Sequence, residues 1–250
     1  MEIWQGLLLF GVGIVSGFLN VMAGGGSLIS LPVMVFLGIP APVANGTNRI
    51  AILVQNISAV TTFFRKGFSD FRLSLSLAAA TLPGAVIGAF AGTRLDGQWF
   101  EWLLAATMLA VMLLMAFGKD KPALREAPVR PSAKRMFLGY LLMAGVGFYG
   151  GLIQIGVGFL IMPVLHRVLG LDLVRVNMHK VFIIGIYTIV ALIIFASQVE
   201  ILWLLGLCLA AGTAIGGWLG AHVSIQKGER AIRILLNIVL TGFIIKLLVF

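Results

Sequence analysis

The chain is written twice. Gly38, Asn45, Thr81, Gly84 and Gly88 recur as Gly170, Asn177, Thr213, Gly216 and Gly220, each pair 132 residues apart. Leu103-Leu104 and Leu235-Leu236 keep that offset, and Gly13/Gly147, Gly17/Gly151 and Pro32/Pro163 match with slips of one or two residues. A period this long is not a solenoid unit. It predicts a first repeat at 1–118, a second at 136–250 and a linker at 119–135. The chain is 60% hydrophobic and only 11% charged, with a mean hydropathy of +1.08. A soluble domain cannot hide that much apolar surface, so the solvent of this fold is the lipid bilayer. Duplication in such a chain points to a membrane transporter, with its site where the halves meet.

Each repeat holds five apolar segments, roughly 3–22, 27–38, 46–64, 71–92 and 99–117, then 136–154, 159–169, 178–197, 200–222 and 231–249. The fold class is therefore all-α integral membrane, with most segments long enough to cross. The second segment of each repeat is short, starts at a glycine cluster and contains Pro32 or Pro163. It fits a tilted span, a broken helix or a re-entrant hairpin.

The net charge of +9 does not mark a nucleic-acid partner, because the basic residues sit in short loops between apolar runs. They set orientation instead: Lys and Arg accumulate on the cytoplasmic side. The linker carries Lys119, Lys121, Arg125, Arg130, Lys134 and Arg135. Five crossings per repeat also place loop 65–72 (Arg65, Lys66, Arg72) and loop 223–233 (Lys227, Arg230, Arg233) in the cytoplasm. Four crossings would put the second of these outside. An odd number of crossings makes the repeats inverted. The single cysteine, Cys208, allows no intrachain disulfide and no multi-cysteine metal site. No cofactor motif is present, and the glycines lack the βαβ setting of a dinucleotide fingerprint. A homo-oligomer is compatible with the sequence.

Two constellations carry the chemistry. Gly24-Gly25-Gly26-Ser27 and Gly156-Val157-Gly158 interrupt apolar segments, and Ser27 is placed to cap the helix that follows. A helix N-terminus inside a membrane attracts anions through its free N–H groups and dipole; a tight turn or close helix crossing is the plainer reading. Asn45-Gly46-Thr47-Asn48-Arg49 and Asn177-Met178-His179-Lys180 open the third segment of each repeat. Asn and Thr offer hydrogen bonds to an oxyanion, Arg49 and Lys180 offer charge, and inverted symmetry brings both helix starts towards one cavity. The alternative is that both cations snorkel to head groups. All nine acids lie in loops or near segment ends, which weakens a cation carrier and favours an anion. His179 is then the candidate for proton coupling, or simply a hydrogen-bonding residue at a helix start. Asn20, Gln55, Asn56, Gln154 and Tyr187 are weaker candidates, equally suited to bonding helix to helix. The Thr81-x-x-Gly84-x-x-x-Gly88 spacing and its copy at Thr213, Gly216 and Gly220 read as packing faces.

The stretch Gly13-x-x-x-Gly17-x-x-Asn20-x-x-Ala23-Gly24-Gly25-Gly26-Ser27, followed by Pro32, Gly38 and Asn45-Gly46-Thr47-Asn48, resembles the sulfite exporter TauE/SafE family. The resemblance covers nearly the whole chain, including the duplication and the basic linker. It departs in the second half, where Met178-His179-Lys180 stands in place of Gly-Thr-Asn. The resemblance implies a secondary transporter, not an enzyme, in a bacterial inner membrane. Its implied substrate is a small sulfur-containing anion such as sulfite or an organosulfonate, moved outward. An anion channel, or an importer of another small anion, is the competing reading; a membrane enzyme lacks an evident nucleophile, metal set or deep carboxylate pair. Both termini are expected outside, so alkaline phosphatase fused after Phe250 should be active in intact bacterial cells; an inactive fusion would invert this topology.

Overall fold

A computed structural model describes residues 3–95, 98, 99, 102, 106 and 131–249. Most of the expected fifth segment (99–117), the pair Leu103-Leu104 and most of the 119–135 linker lie outside the described residues. The described elements are all helical: α1 (Ile3–Ala23), α2 (Ser27–Phe36), α3 (Ala41–Arg65), α4 (Phe71–Thr93), α5 (Ala133–Leu152), α6 (Val157–Pro163, continued by a π-helical turn Val164–Val168), α7 (Leu173–Gln198) and α8 (Trp203–Val249).

Four stretches are long and apolar enough to cross a membrane: Ile3–Ala23, Phe71–Thr93, Leu173–Gln198 and Trp203–Gly228. They carry large apolar side chains on their outer faces, including Leu7, Ile87, Ile193 and Leu204, as lipid contact requires. The apolar stretches Ser27–Phe36 and Val157–Val168 are shorter. At 1.5 Å per residue they reach about 15–18 Å, too little to cross the ~30 Å hydrocarbon core alone.

Three expectations change. First, α3 and α7 start at Ala41 and Leu173, so Asn45 and Asn177 lie one turn inside rather than at the helix start. Pro40 precedes α3 with Pro42 in its first turn, and the Asp172 side chain caps α7 by accepting from Arg175 N at 2.9 Å. These local signals outweigh the apolar boundary. Second, loop 223–233 is not a loop: helical structure runs through it, broken only at Gly228 (φ 63°, ψ −159°). Third, Ser27 does not cap α2. Gly26 is the N-cap, without a side-chain bond, and Ser27 is buried as the first helical residue.

Close contacts give the directions of the helices. Gly212, Gly216 and Gly220 of α8 meet Phe10, Ile14 and Phe18 of α1 in order, so the two run parallel. Thr47 of α3 accepts from Leu202 N, just before α8, and Ala51 accepts from Thr213 Oγ1, which sets α3 parallel to α8 as well. On the other side, Gly84 and Gly88 of α4 pack on Ala144 and Phe148 of α5, while Ser74 and Gly92 reach His179 and Phe195 of α7. Hence α4, α5 and α7 form a second parallel set. The sets meet along α3 and α7, which are antiparallel: Gly46 packs on Phe195, Asn56 lies opposite Gly185, and Phe63 shares a cavity with Met178 and Phe182.

The contacts of the two sets match at the sequence offset. Thr213 backbone atoms sit against Gly17 of α1, and Thr81 backbone atoms sit against Gly147 of α5. Such backbone-to-backbone crossings need glycine, since van der Waals packing rather than the hydrophobic effect joins helices in lipid. A Cβ at Gly84 would lie 2.0 Å from Ala144 O, whereas one at Gly145 meets nothing within 4 Å. Gly84→Ala should therefore destabilise by about 1–3 kcal/mol or more. Gly145→Ala should be neutral or stabilising by up to about 1 kcal/mol. Thermal unfolding of both variants in one detergent checks this contrast.

Candidate functional site

The α1–α2 and α5–α6 pairs are helical hairpins that double back on themselves. Gly26 returns to Ser16 and Asn20 of α1, and Leu169 returns to Gly139 of α5. Their tips touch. A Cβ on Gly24 (φ +89°) would fall 2.6 Å from Gly158 Cα, and one on Gly158 would fall 2.2 Å from Gly24 Cα. Only glycine permits this approach on both sides. Gly25 lies against the Phe159 ring, and Gly156 (φ +62°) forms the N-cap of α6. The two glycine clusters are thus in contact across the molecule.

Each hairpin turn leaves the end of a long helix inside the protein, where the last carbonyls have no intrahelical partner. The cations supply one. Arg49 is fully buried; its Nη1 donates to Gly150 O at 3.2 Å and to Gln154 Oε1 at 2.7 Å, and its Nη2 donates to Gly151 O. Its guanidinium carbon stands 4.2 Å above the Phe195 ring centroid. Lys180, also fully buried, donates from Nζ to Val21 O at 2.7 Å and to Asn177 Oδ1 at 2.8 Å. Asn45 Nδ2 donates to Leu152 O at 3.0 Å, and Asn177 Nδ2 donates to Met22 O at 3.4 Å and to Ser224 Oγ at 3.3 Å. The carbonyl ends of α5 and α1 are held by matching residues from α3 and α7.

This geometry excludes snorkelling, because neither cation is exposed. It also corrects the expectation of one shared cavity. Because α3 and α7 are antiparallel, the segments carrying Arg49 and Lys180 lie towards opposite ends of the seam, with backbones roughly 18 Å apart along it. What converges is the pair of hairpin tips, and each cation reaches the tip of one. Neither cation meets a carboxylate among the described residues; the ion pair present there joins Arg175 and Asp172 at 3.4 Å, at an exposed helix start.

The other expected residues divide. Asn20 Nδ2 donates to Gln55 Oε1 at 3.2 Å, linking α1 to α3. Ser30, not expected from the sequence, donates to Asn48 Oδ1 at 2.9 Å, and Thr47 accepts from Leu202 N at 3.1 Å; both residues tie α3 to its neighbours. Gln154, with φ 60°, bridges Arg49 and Thr188, donating to Thr188 Oγ1 at 2.7 Å. A non-glycine residue in that conformation costs on the order of 1–3 kcal/mol, which two bonds to one amide group offset. His179 does not join Lys180: its Nδ1 pairs with Ser74 Oγ at 2.8 Å, towards α4. Thr188 was legible, since it stands 132 residues after the polar Asn56. Phe195 and Ser74 carry no such signal.

Comparison with known proteins agrees with the geometry. The family model for "Sulfite exporter TauE/SafE" matches residues 9–247. The chain belongs to this family. It is similar to the probable membrane transporter protein ORF9 of Sinorhizobium, 28% identical over 240 residues that cover 96% of this chain and 91% of that protein. A probable membrane transporter protein of Haemophilus influenzae is 28% identical over 226 residues, covering 90% and 88%. The probable membrane transporter protein YfcA of Escherichia coli is 26% identical over 248 residues, covering 96% and 88%. No solved structure matches. Like these TauE/SafE relatives by name, the chain is a membrane transport protein.

The two cations differ in what they hold. Replacing Arg49 by Met strips partners from two carbonyls and an amide at once; Lys180→Met strips one carbonyl and one amide. Breaking a buried charged contact costs about 3–5 kcal/mol. Arg49→Met should therefore lower the unfolding temperature in detergent more than Lys180→Met does, and equal shifts would show that the arginine's extra bonds add nothing.

Proposed function

We propose that this TauE/SafE protein is a secondary transporter that exports a small sulfur-containing anion, sulfite or an organosulfonate, across the bacterial inner membrane. One observation carries the reading: two fully buried cations face helix carbonyls and amides instead of carboxylates. A helix C-terminus presents about half a negative charge. Each cation is thus offset by about half, which leaves the pair short by about one charge, that of a monoanion. A buried cation costs about 2.5–3.5 kcal/mol on insertion scales. Charge-assisted bonds of about 1.5–3 kcal/mol each hold the cations in place while leaving the charge deficit.

The matching contacts at the 132-residue offset support two inverted halves, each with five membrane segments, in a multi-pass topology. Rocking one half on the other, along the glycine crossings and the tip contact, would give alternating access. The Gly24–Gly158 contact leaves no open pore between the tips, which favours a carrier over a channel. With the cell interior negative, moving one negative charge outward gains about 2.3 kcal/mol per 100 mV, so export needs no further energy source. His179, bonded to Ser74 and set apart from Lys180, is a weaker candidate for proton coupling than its position in sequence implies.

In proteoliposomes, flux of sulfite, thiosulfate, sulfoacetate or an aryl sulfonate should saturate and show counter-flow. Arg49→Gln and Lys180→Gln proteins that reconstitute folded should lose at least tenfold in that flux. Unchanged flux in both variants would remove the cations from the site.

A further inference from the structure

Two buried donors near the hairpin tips have no partner. The hydroxyl of Tyr187 and the Nε2 of Gln55 make no hydrogen bond, although the residues are 0% and 1% exposed. Gln55 and Tyr187 stand 132 residues apart, the offset that relates the two halves of the sequence. Unpartnered buried polar atoms are rare and costly, and a polar atom retained in that state is accounted for by a ligand that is not part of the chain.

Each donor belongs to one tip. The Tyr187 hydroxyl lies 2.8 Å from where a Cβ of Gly150 would stand, and Gly150 O is one of the carbonyls that Arg49 holds. Arg49 Nε is itself unpartnered and buried. Gln55 accepts from Asn20 through Oε1, and the next residue, Val21, is the one whose carbonyl Lys180 holds. One tip therefore brings together Arg49, Tyr187 and the end of α5; the other brings together Lys180, Gln55 and the end of α1. The Gly24–Gly158 contact stands between them.

We propose that the transported oxyanion has two binding stations, one at each tip, in which Tyr187 and Gln55 are the neutral donors beside Arg49 and Lys180. This rests on the anion-transport reading above and adds that the anion is bound twice, once on each side of the tip contact, instead of in one central pocket. A neutral donor next to a half-compensated cation suits transit, since binding must be firm enough to admit the ion and weak enough to release it. The ligand class is a small oxyanion with at least two free oxygens, one for the cation and one for the neutral donor.

The test is sided kinetics in oriented proteoliposomes, with sulfite and benzenesulfonate as probes and unfolding temperatures recorded without anion. Tyr187→Phe deletes one unpartnered oxygen, so the protein should be as stable as the wild type or more so. Its KM should rise about tenfold for anion offered from the side where α3 begins, the worth of one hydrogen bond to a charged group. Gln55→Met should raise KM from the opposite side, and Asn20→Leu, which removes only the α1–α3 bond, should not. Variants whose KM stays within twofold on both sides overturn the stations. Equal rises from both sides also overturn them, in favour of one shared pocket. If Arg49→Gln and Lys180→Gln abolish flux while the Tyr187 and Gln55 variants behave as wild type, only the stations fall. If the wild-type protein moves neither probe, the transport reading falls and takes the stations with it.

Discussion

The structure depends on how it finishes two helices inside a protein that lipid surrounds. A helix end at membrane depth exposes carbonyls that no water can satisfy, so irregular backbone survives there only where it is packed in protein or lines a cavity. Here α1 and α5 end at the tips of two hairpins, and the carbonyls of Val21, Met22, Gly150, Gly151 and Leu152 are taken by Lys180, Asn177, Arg49 and Asn45. Those four side chains come from α3 and α7, which are long and continuous. The broken elements are thus held by the unbroken ones, and each hairpin is held by a helix of the opposite half of the sequence.

That arrangement explains why glycine and cation occur together. The tips touch backbone to backbone only because Gly24 and Gly158 lack side chains. Close approach of two turns brings their carbonyls into a small volume, and the cations offset the resulting negative potential. A carboxylate partner would neutralise Arg49 or Lys180 completely and leave nothing for an anion. Carbonyl dipoles neutralise them in part, so the same contacts that complete the helices keep the site positive.

Much of the scaffold was legible in the sequence because it is repeated. The glycines at 84, 88, 216 and 220 mark helix crossings in both halves, and the short proline-containing segments mark the hairpins. The residues Asn45, Arg49, Asn177 and Lys180 stood out as polar positions in apolar surroundings. Their partners did not, because a backbone carbonyl has no signature in sequence. The expected convergence of the two helix starts failed for a related reason. Period and charge give the order of segments, but the antiparallel register of α3 on α7 is set by contacts such as Gly46 on Phe195 and Asn56 against Gly185, which no local pattern encodes. The break at Gly228 was hidden in a different way: the charged residues 227–233 read as a loop, yet helical structure runs on both sides of a single turned residue.

The halves are not identical at the point that matters most. Asn45 and Asn177 keep the 132-residue offset, but Arg49 and Lys180 do not: the residue equivalent to Lys180 is Asn48, and the one equivalent to Arg49 is Val181. A shift of one residue turns a side chain by about 100° around its helix. The longer, planar guanidinium makes up that difference, reaching two carbonyls and an amide at once and stacking on Phe195, whereas the ammonium of Lys180 meets one carbonyl and an amide from its own helix. Arginine is held in a fixed fork and lysine as a freer point charge. The α5 end is therefore the more rigid of the two and the α1 end the more adaptable. A scaffold that is close to symmetric thus offers an anion two unlike faces, as net movement in one direction requires once the membrane potential is the only drive.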